Sequence, residues 1–248
     1  MSLSFIPLGV GDAFTALYYS SCLWLEAEGQ VLLVDCPHPI RKMMREAGQS
    51  AGVALDADRV SGVVLTHLHA DHSSGLEGLG YFSFFLLKRK LPLLVHPDVA
   101  HRLWDGHLAA GMEALIPRAG EAPQPRGFED YFSVTPLSTE TSVRFGPFTL
   151  ECRRTYHHLP TTALRIRAGG RSLGYSADTA FDEGLISWLS EADLVVHETN
   201  YGVHTPYAKL AGLPEALRAR MRLIHYPDDF ALGASTIEPL VQGRRYTV

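Results

Sequence analysis

Apolar residues along this chain come in short runs broken by Gly, Asp and Pro rather than in long stripes. The first three runs, residues 3–8, 21–26 and 31–34, are separated by Gly9, Gly11 and Asp12 and by the turn Glu28-Gly29-Gln30, as in short antiparallel strands. A segment rich in Arg, Lys and Met at 40–46 has helical character and ends near Gly48, whereas 62–65 is a β-branched run of the kind covered on both faces. Helical spacing returns at 75–90, unusually aromatic with Tyr81, Phe82, Phe84 and Phe85, and at 97–107, which opens on a proline; a strand at 91–95 lies between them. Beyond a Pro-rich loop at 115–127 the strand logic repeats at 143–154, 162–167, 172–176, 194–197 and 221–224, with helices predicted at 183–190 and 213–221. Strands with interposed helices in both halves predict an α/β fold of two sheets facing each other with helices outside. No repeat and no Gly/Ser linker interrupts the pattern, so residues 1–248 are expected to form a single domain.

Composition narrows this picture. With 46% hydrophobic and 20% charged residues the chain has enough apolar material for a substantial core and too much for disorder. It holds no run of about eighteen apolar residues, and its N-terminal segment lacks the charged start and small-residue cleavage site of a secretory signal. A cytoplasmic protein with no membrane partner is therefore expected. Cys22, Cys36 and Cys152 stand singly, which favours buried thiols over a disulfide framework. The formal net charge of −5 argues against a grip on long nucleic acid but leaves a small phosphate ester open.

The histidines change the picture most. His38, His96, His101 and His107 stand alone and read as ordinary polar residues. Directly after the strand at 62–65, however, comes Thr66-His67-Leu68-His69-Ala70-Asp71-His72. Side chains two apart in an extended segment point the same way, so His67 and His69 can close on one metal while Asp71 and His72 aim at an adjacent point. Further donors stand where other apolar runs end: His157 or His158, Asp178 and His225. Nitrogen and carboxylate ligands of this kind suit two divalent ions, zinc first, with manganese or iron as replacements. Asp35, ending the run at 31–34, is a candidate to orient a ligand histidine.

With these residues in view the chain resembles the metallo-β-lactamase fold superfamily, on its ribonuclease Z-like phosphodiesterase branch. The resemblance spans Leu8-Gly9-Val10-Gly11-Asp12-Ala13, Leu33-Val34-Asp35-Cys36, the His67–His72 motif, the His157 segment, Gly174-Tyr175-Ser176-Ala177-Asp178-Thr179, His197-Glu198-Thr199 and His225. It implies a four-layer αββα sandwich of two mixed β-sheets flanked by helices. It also implies a first metal on His67, His69 and His157, with His158 the alternative, and a second on Asp71, His72 and His225. Asp178 would bridge them, and Asp71 would also hold the attacking water. In similar phosphodiesterases the histidine of the His197-Glu198-Thr199 element, oriented by its glutamate, protonates the leaving group.

Members that process tRNA carry a long basic arm between the third metal histidine and the bridging aspartate. Here that interval is short and holds only Arg165, Arg167 and Arg171 among scattered charges. A small phosphodiester is the better expectation, most closely a cyclic nucleotide, because compact members resemble anti-Pycsar enzymes that open cyclic mononucleotides. His204, Tyr207 and Lys209 are candidate substrate contacts. A homodimer is also implied, with a seam near Tyr81 to Phe85. The competing expectations are a tRNA 3′-processing endoribonuclease, a lactonase or thioesterase, and a non-catalytic metal-binding sensor.

Overall fold

Strand pairing sorts the apolar runs into two sheets. The computed structural model of the protein describes residues 2–248. Its strands are β1 (Ser4–Gly9), β2 (Cys22–Ala27), β3 (Gln30–Val34), β4 (Gly62–Leu65), β5 (Leu91–Val95), β6 (Ala114–Leu115), β7 (Gln124–Pro125) and β8 (Phe132–Pro136). They continue with β9 (Val143–Phe145), β10 (Phe148–Arg154), β11 (Thr162–Ala168), β12 (Arg171–Tyr175), β13 (Leu194–Glu198), β14 (Met221–Ile224), β15 (Glu238–Pro239) and β16 (Tyr246–Thr247). One sheet has the order β16-β1-β2-β3-β4-β5-β8, the other β15-β14-β13-β12-β11-β10-β9, and β6 pairs with β7 apart from both. Each large sheet is mixed: β3, β4, β5 and β8 run parallel in the first, and β12 to β15 in the second.

Period-two alternation builds the layers. In β2, Leu23 and Leu25 face the second sheet and pack with Leu150, Leu164, Ile166 and Leu173, while Trp24 turns outward. The outward face of the first sheet, with Leu33, Val63 and Leu65, takes Met43, Met44 and Ala47 of the helix Ile40–Ala51. On the far side, Leu185 and Leu189 of the helix Glu183–Leu189 cover the second sheet. The result is the αββα sandwich that the sequence implies, each buried Leu or Val contributing on the order of 1.5–3 kcal/mol by leaving water.

Several boundaries differ from the sequence reading, each for a local reason. The first helix passes through Gly48 to Ala51 and ends at Gly52, whose φ of 68° closes it. The run at 143–154 is two strands, because Gly146 at φ 54° turns the chain into the β9–β10 hairpin. The helix predicted at 213–221 shortens to Glu215–Arg218, since Met221, Leu223 and Ile224 are drawn into the inter-sheet core as β14. The aromatic segment forms the helix Leu76–Phe82 and a π-helical turn Ser83–Leu87, and Tyr81 and Phe84 lie 5.5 and 5.1 Å from the Tyr131 ring. Among the described residues no helix is long and apolar enough to cross a membrane.

What positions the site is the direction of the parallel strands, whose carboxyl ends in both sheets open onto one edge. The segment after β3 is docked on the turn after β4: the Cys36 N–H donates to His72 O over 2.7 Å and the Gly75 N–H to Cys36 O over 2.7 Å. A side chain at Gly75 would put its Cβ 2.5 Å from Pro37 O and 2.8 Å from Cys36 O, both backbone atoms that cannot swing aside. Gly75→Ala is therefore expected to cost about 1–3 kcal/mol in urea unfolding; an unchanged midpoint would show that this docking is slack.

Candidate metal centre

Three of these strand ends share an unusual backbone. Asp35 after β3, Ala177 after β12 and His225 after β14 have φ values of 63°, 49° and 57°. Left-handed residues other than Gly are uncommon, and such conformations cost on the order of 1–3 kcal/mol where they persist. Here each bend turns a chemically active side chain, Asp35, Asp178 or His225, into the same space.

His67, His69, Asp71 and His72 leave β4 through an extended segment and the short helix Ala70–Ser73. His69 Nδ1 lies 3.1 Å from His67 Nε2 and 3.0 Å from His157 Nε2. Asp178 Oδ2 completes this group at 3.7 Å from His67 Nε2 and 3.6 Å from His157 Nε2. In an adjoining group, His72 Nε2 stands 3.3 Å from Asp71 Oδ2 and 3.3 Å from Asp178 Oδ1. There His225 Nε2 is 3.2 Å from Asp71 Oδ2 and 3.5 Å from Asp178 Oδ2. Donors about 2.0–2.1 Å from a zinc ion stand about 3.3 Å apart in a tetrahedron, so both groups have the spacing of a divalent metal's ligands. The buried Nε2 of His72 has no hydrogen-bond partner, as a ligand nitrogen held for a metal should not. Of the two neighbouring histidines, His157 enters the group and His158 stays exposed at its edge.

Asp35 is fully buried behind this array. Its Oδ1 accepts from the Thr66 N–H over 2.8 Å and from the Thr66 hydroxyl over 2.9 Å, and its Oδ2 takes His72 Nδ1 at 2.8 Å. That bond keeps a proton on His72 Nδ1, so Nε2 is the nitrogen that would face a metal once its own proton has left.

Charge is distributed unevenly across the site. Burial pushes the pKa of His157 down to about 4 and that of His67 well below the usual histidine range. Burial also opposes charge on His225 and His72, yet Asp178 and Asp71 outweigh it, holding His225 up at about 9 and His72 well above its ordinary value. Despite its burial, Asp178 is kept far below the usual carboxylate range by His225, His72 and His67.

The expectation that Glu198 orients His197 is corrected by the structure. Neighbours on a strand point to opposite faces, and Glu198 faces the site. Its Oε1 accepts from the Thr179 N–H over 2.7 Å and pairs with His204 Nδ1 at 2.9 Å. His197 is buried elsewhere, with Nδ1 on the Glu198 carbonyl at 2.7 Å and its pKa lowered by burial to about 4. His204 instead stacks on His225 at 5.3 Å between ring centroids. Burial opposes its charge, but the Glu198 carboxylate raises its pKa above the histidine norm.

A cleft of about 320 Å³ opens over the metal groups, lined by His69, Asp71, His157, His204 and His225 together with Phe14 and Asn200. Phe14 and Asn200 escaped the sequence reading; Asn200 Nδ2 donates to Asp12 Oδ2 over 3.0 Å, fastening the loop after β1 to the loop after β13. Tyr207 and Lys209, expected as substrate contacts, lie outside this cleft. The Tyr207 hydroxyl accepts from the Thr236 N–H over 2.7 Å, and the exposed Lys209 sits 5.6 Å over the Phe181 ring. None of Tyr81 to Phe85 lines it either.

The chain is similar to known proteins over most of its length. A sequence profile of the anti-Pycsar protein Apyc1 family matches residues 3–238. The chain is 30% identical to an anti-Pycsar protein Apyc1 of Bacillus phage BSP38 and 31% identical to one of Bacillus phage 010DV004, with 96% of each chain covered in both cases. Among solved structures it resembles the metallo-β-lactamase fold protein YhfI from Bacillus subtilis, with a TM-score of 0.72, 18% identity, and 92% of this chain and 88% of that one covered.

Two outcomes follow for metal binding. Protons on His225 and His72 in the metal-free protein must leave when an ion binds, so zinc affinity should rise between roughly pH 6 and 8 with proton release. Calorimetry in buffers of different ionisation heat reads this directly, and a pH-independent affinity would contradict it. Asp35→Asn should lower metal affinity about 10–100-fold in a chelator competition, because His72 loses the carboxylate that sets its tautomer.

Proposed function

The chain belongs to the anti-Pycsar protein Apyc1 family, and we propose that it is a metal-dependent phosphodiesterase acting on a small diester, specifically a cyclic nucleotide. The observation that carries this reading is the pair of donor groups meeting at Asp178 with the Glu198–His204 pair set against them. His67, His69 and His157 would hold one divalent ion, Asp71, His72 and His225 a second, and Asp178 would reach both. Two such ions, zinc in the first place, supply hydroxide near neutrality and neutralise charge on phosphate oxygens when bound.

The protein's own groups do the rest. Asp71, kept ionised because His72 and His225 outweigh its burial, would hold the attacking water by accepting its hydrogen bond. His204 holds a proton because Glu198 supports its charge; its Nδ1 is taken by Glu198, leaving Nε2 to protonate the departing alkoxide. His204 thus takes the part first expected of His197, and Glu198 keeps its orienting part. A strongly basic leaving oxygen needs such a donor, which favours a sugar phosphodiester over an activated ester.

Substrate size is bounded by the second sheet. Between His157 and Asp178 the chain is occupied by β11 and β12, joined by a turn at Gly169 and Gly170. No tRNA-gripping arm emerges from that interval, so a small diester suits the cleft better than a folded RNA.

Metal-loaded protein should open cyclic AMP, GMP, CMP or UMP and leave precursor tRNA intact; cleavage of the tRNA alone, or of an acyl-homoserine lactone alone, would refute the reading. His204→Ala should lower kcat on a cyclic nucleotide about 10²–10⁴-fold, and much less on bis(p-nitrophenyl) phosphate, whose leaving group departs unprotonated. Because His204 is the acid, activity should fall as pH rises through its raised pKa, and Glu198→Gln should move that fall to lower pH. An unshifted alkaline limb would remove the pair from the mechanism.

A further inference from the structure

Beside the metal cleft lies a second concavity, of about 440 Å³, that the steps above do not use. Its apolar side comes from Leu68, Leu159 and Pro160. Leu68 sits between His67 and His69, and Leu159 and Pro160 directly follow His157 and His158, so both hollows are walled by the same two segments. Opposite them, the helix Pro97–Leu103 runs into a π-helical turn, Trp104–Leu108, a rare backbone that is found preferentially at functional positions. His107 in this turn also reaches Ser73 O at 3.4 Å, which ties the wall to the metal motif.

The rim of the groove carries one strong donor without a partner of its own. Arg102 lines it and, among the described residues, makes no hydrogen bond or ion pair, whereas nearby Asp98 is already engaged by Arg154 over 2.6 Å. A Cβ at position 106 would come within 3.3 Å of Arg102 Nε, so Gly106 leaves the guanidinium room against the turn. An anion would gain little from the apolar side, which offers it no hydrogen bonds. A flat heterocycle satisfies both parts: its face covers Leu68, Leu159 and Pro160, its ring nitrogens and carbonyls accept from Arg102, and its N–H groups donate to His107 Nδ1, the ring nitrogen not turned to Ser73 O.

Resting on the phosphodiesterase reading above, we propose that this groove is the nucleobase subsite, which holds the base while the cyclic phosphate lies in the metal cleft. Arg102 and His107 are then specificity-determining contacts at the base edge.

The probe is a pair of diesters hydrolysed by the same metal-loaded protein: a cyclic nucleotide, and the methyl riboside 3′,5′-cyclic phosphate, in which a methoxy group replaces the base. Wild type should prefer the nucleotide in kcat/KM. Arg102→Ala and His107→Ala should each cut that preference about tenfold, chiefly through KM for the nucleotide, and Arg102→Lys should restore only part of it. Taking the ratio within each variant removes any general loss of folding or metal. A wild type that treats the two diesters alike, or variants that keep the full preference, would overturn the subsite while leaving the phosphodiesterase reading intact. Hydrolysis of neither diester by wild type would overturn that reading, and the subsite with it.

Discussion

Three imidazole nitrogens converging at the floor of the cleft, with His69 Nδ1 about 3 Å from both His67 Nε2 and His157 Nε2, are the constraint on which the rest of the structure depends. Hydrogen bonds within the chain cannot satisfy all three, because each shared proton pairs only two of them. A cation at their common focus can. The left-handed bends at the strand ends, the buried Asp35 carboxylate and the close docking of Gly75 on Cys36 all hold this unfavourable arrangement in place, each at some local cost repaid by the surrounding core.

The same arrangement explains why the two sheets are built as they are. Antiparallel pairing of β1, β2 and β3 brings the chain back on itself, through a tight turn between β2 and β3, but it points successive strand ends in opposite directions. Only where the strands run parallel do consecutive carboxyl ends gather, and Asp35, His67, Asp178, Glu198 and His225 all come from those halves of the two sheets. The helices that a parallel crossover requires cover the outer faces, while the face-to-face packing of the sheets brings the two rows of side chains within ligand distance of each other.

How much of this was legible in the sequence varied with how local the signal was. The His67–His72 motif is compact, and its chemistry follows from side-chain direction in an extended segment. Asp178 and His225 were findable because each ends an apolar run. His204 was seen only as a substrate contact, since it sits in a loop where no periodicity fixes direction, and its partnership with Glu198 depends on a fold six residues away. The assignment of His197 overlooked strand alternation: if Glu198 faces the metals, its neighbour cannot. Tyr207 and Lys209 were grouped with His204 by proximity in sequence, yet the helix Tyr207–Ala211 carries them away from the cleft. At the level of the fold, β8 and the short β15 and β16 carry little apolar pattern and are defined by the partners they join rather than by their own residues.

The donors are also spread along the chain, from residue 67 to residue 225. During translation the first group lacks its closing carboxylate until Asp178 has emerged, and the second lacks an imidazole until His225 has done so. A product ending short of β14 would therefore present the histidines of the first group without the imidazole that completes the second. Completion of the donor set thus comes late in the chain and in one step, when β14 joins β13.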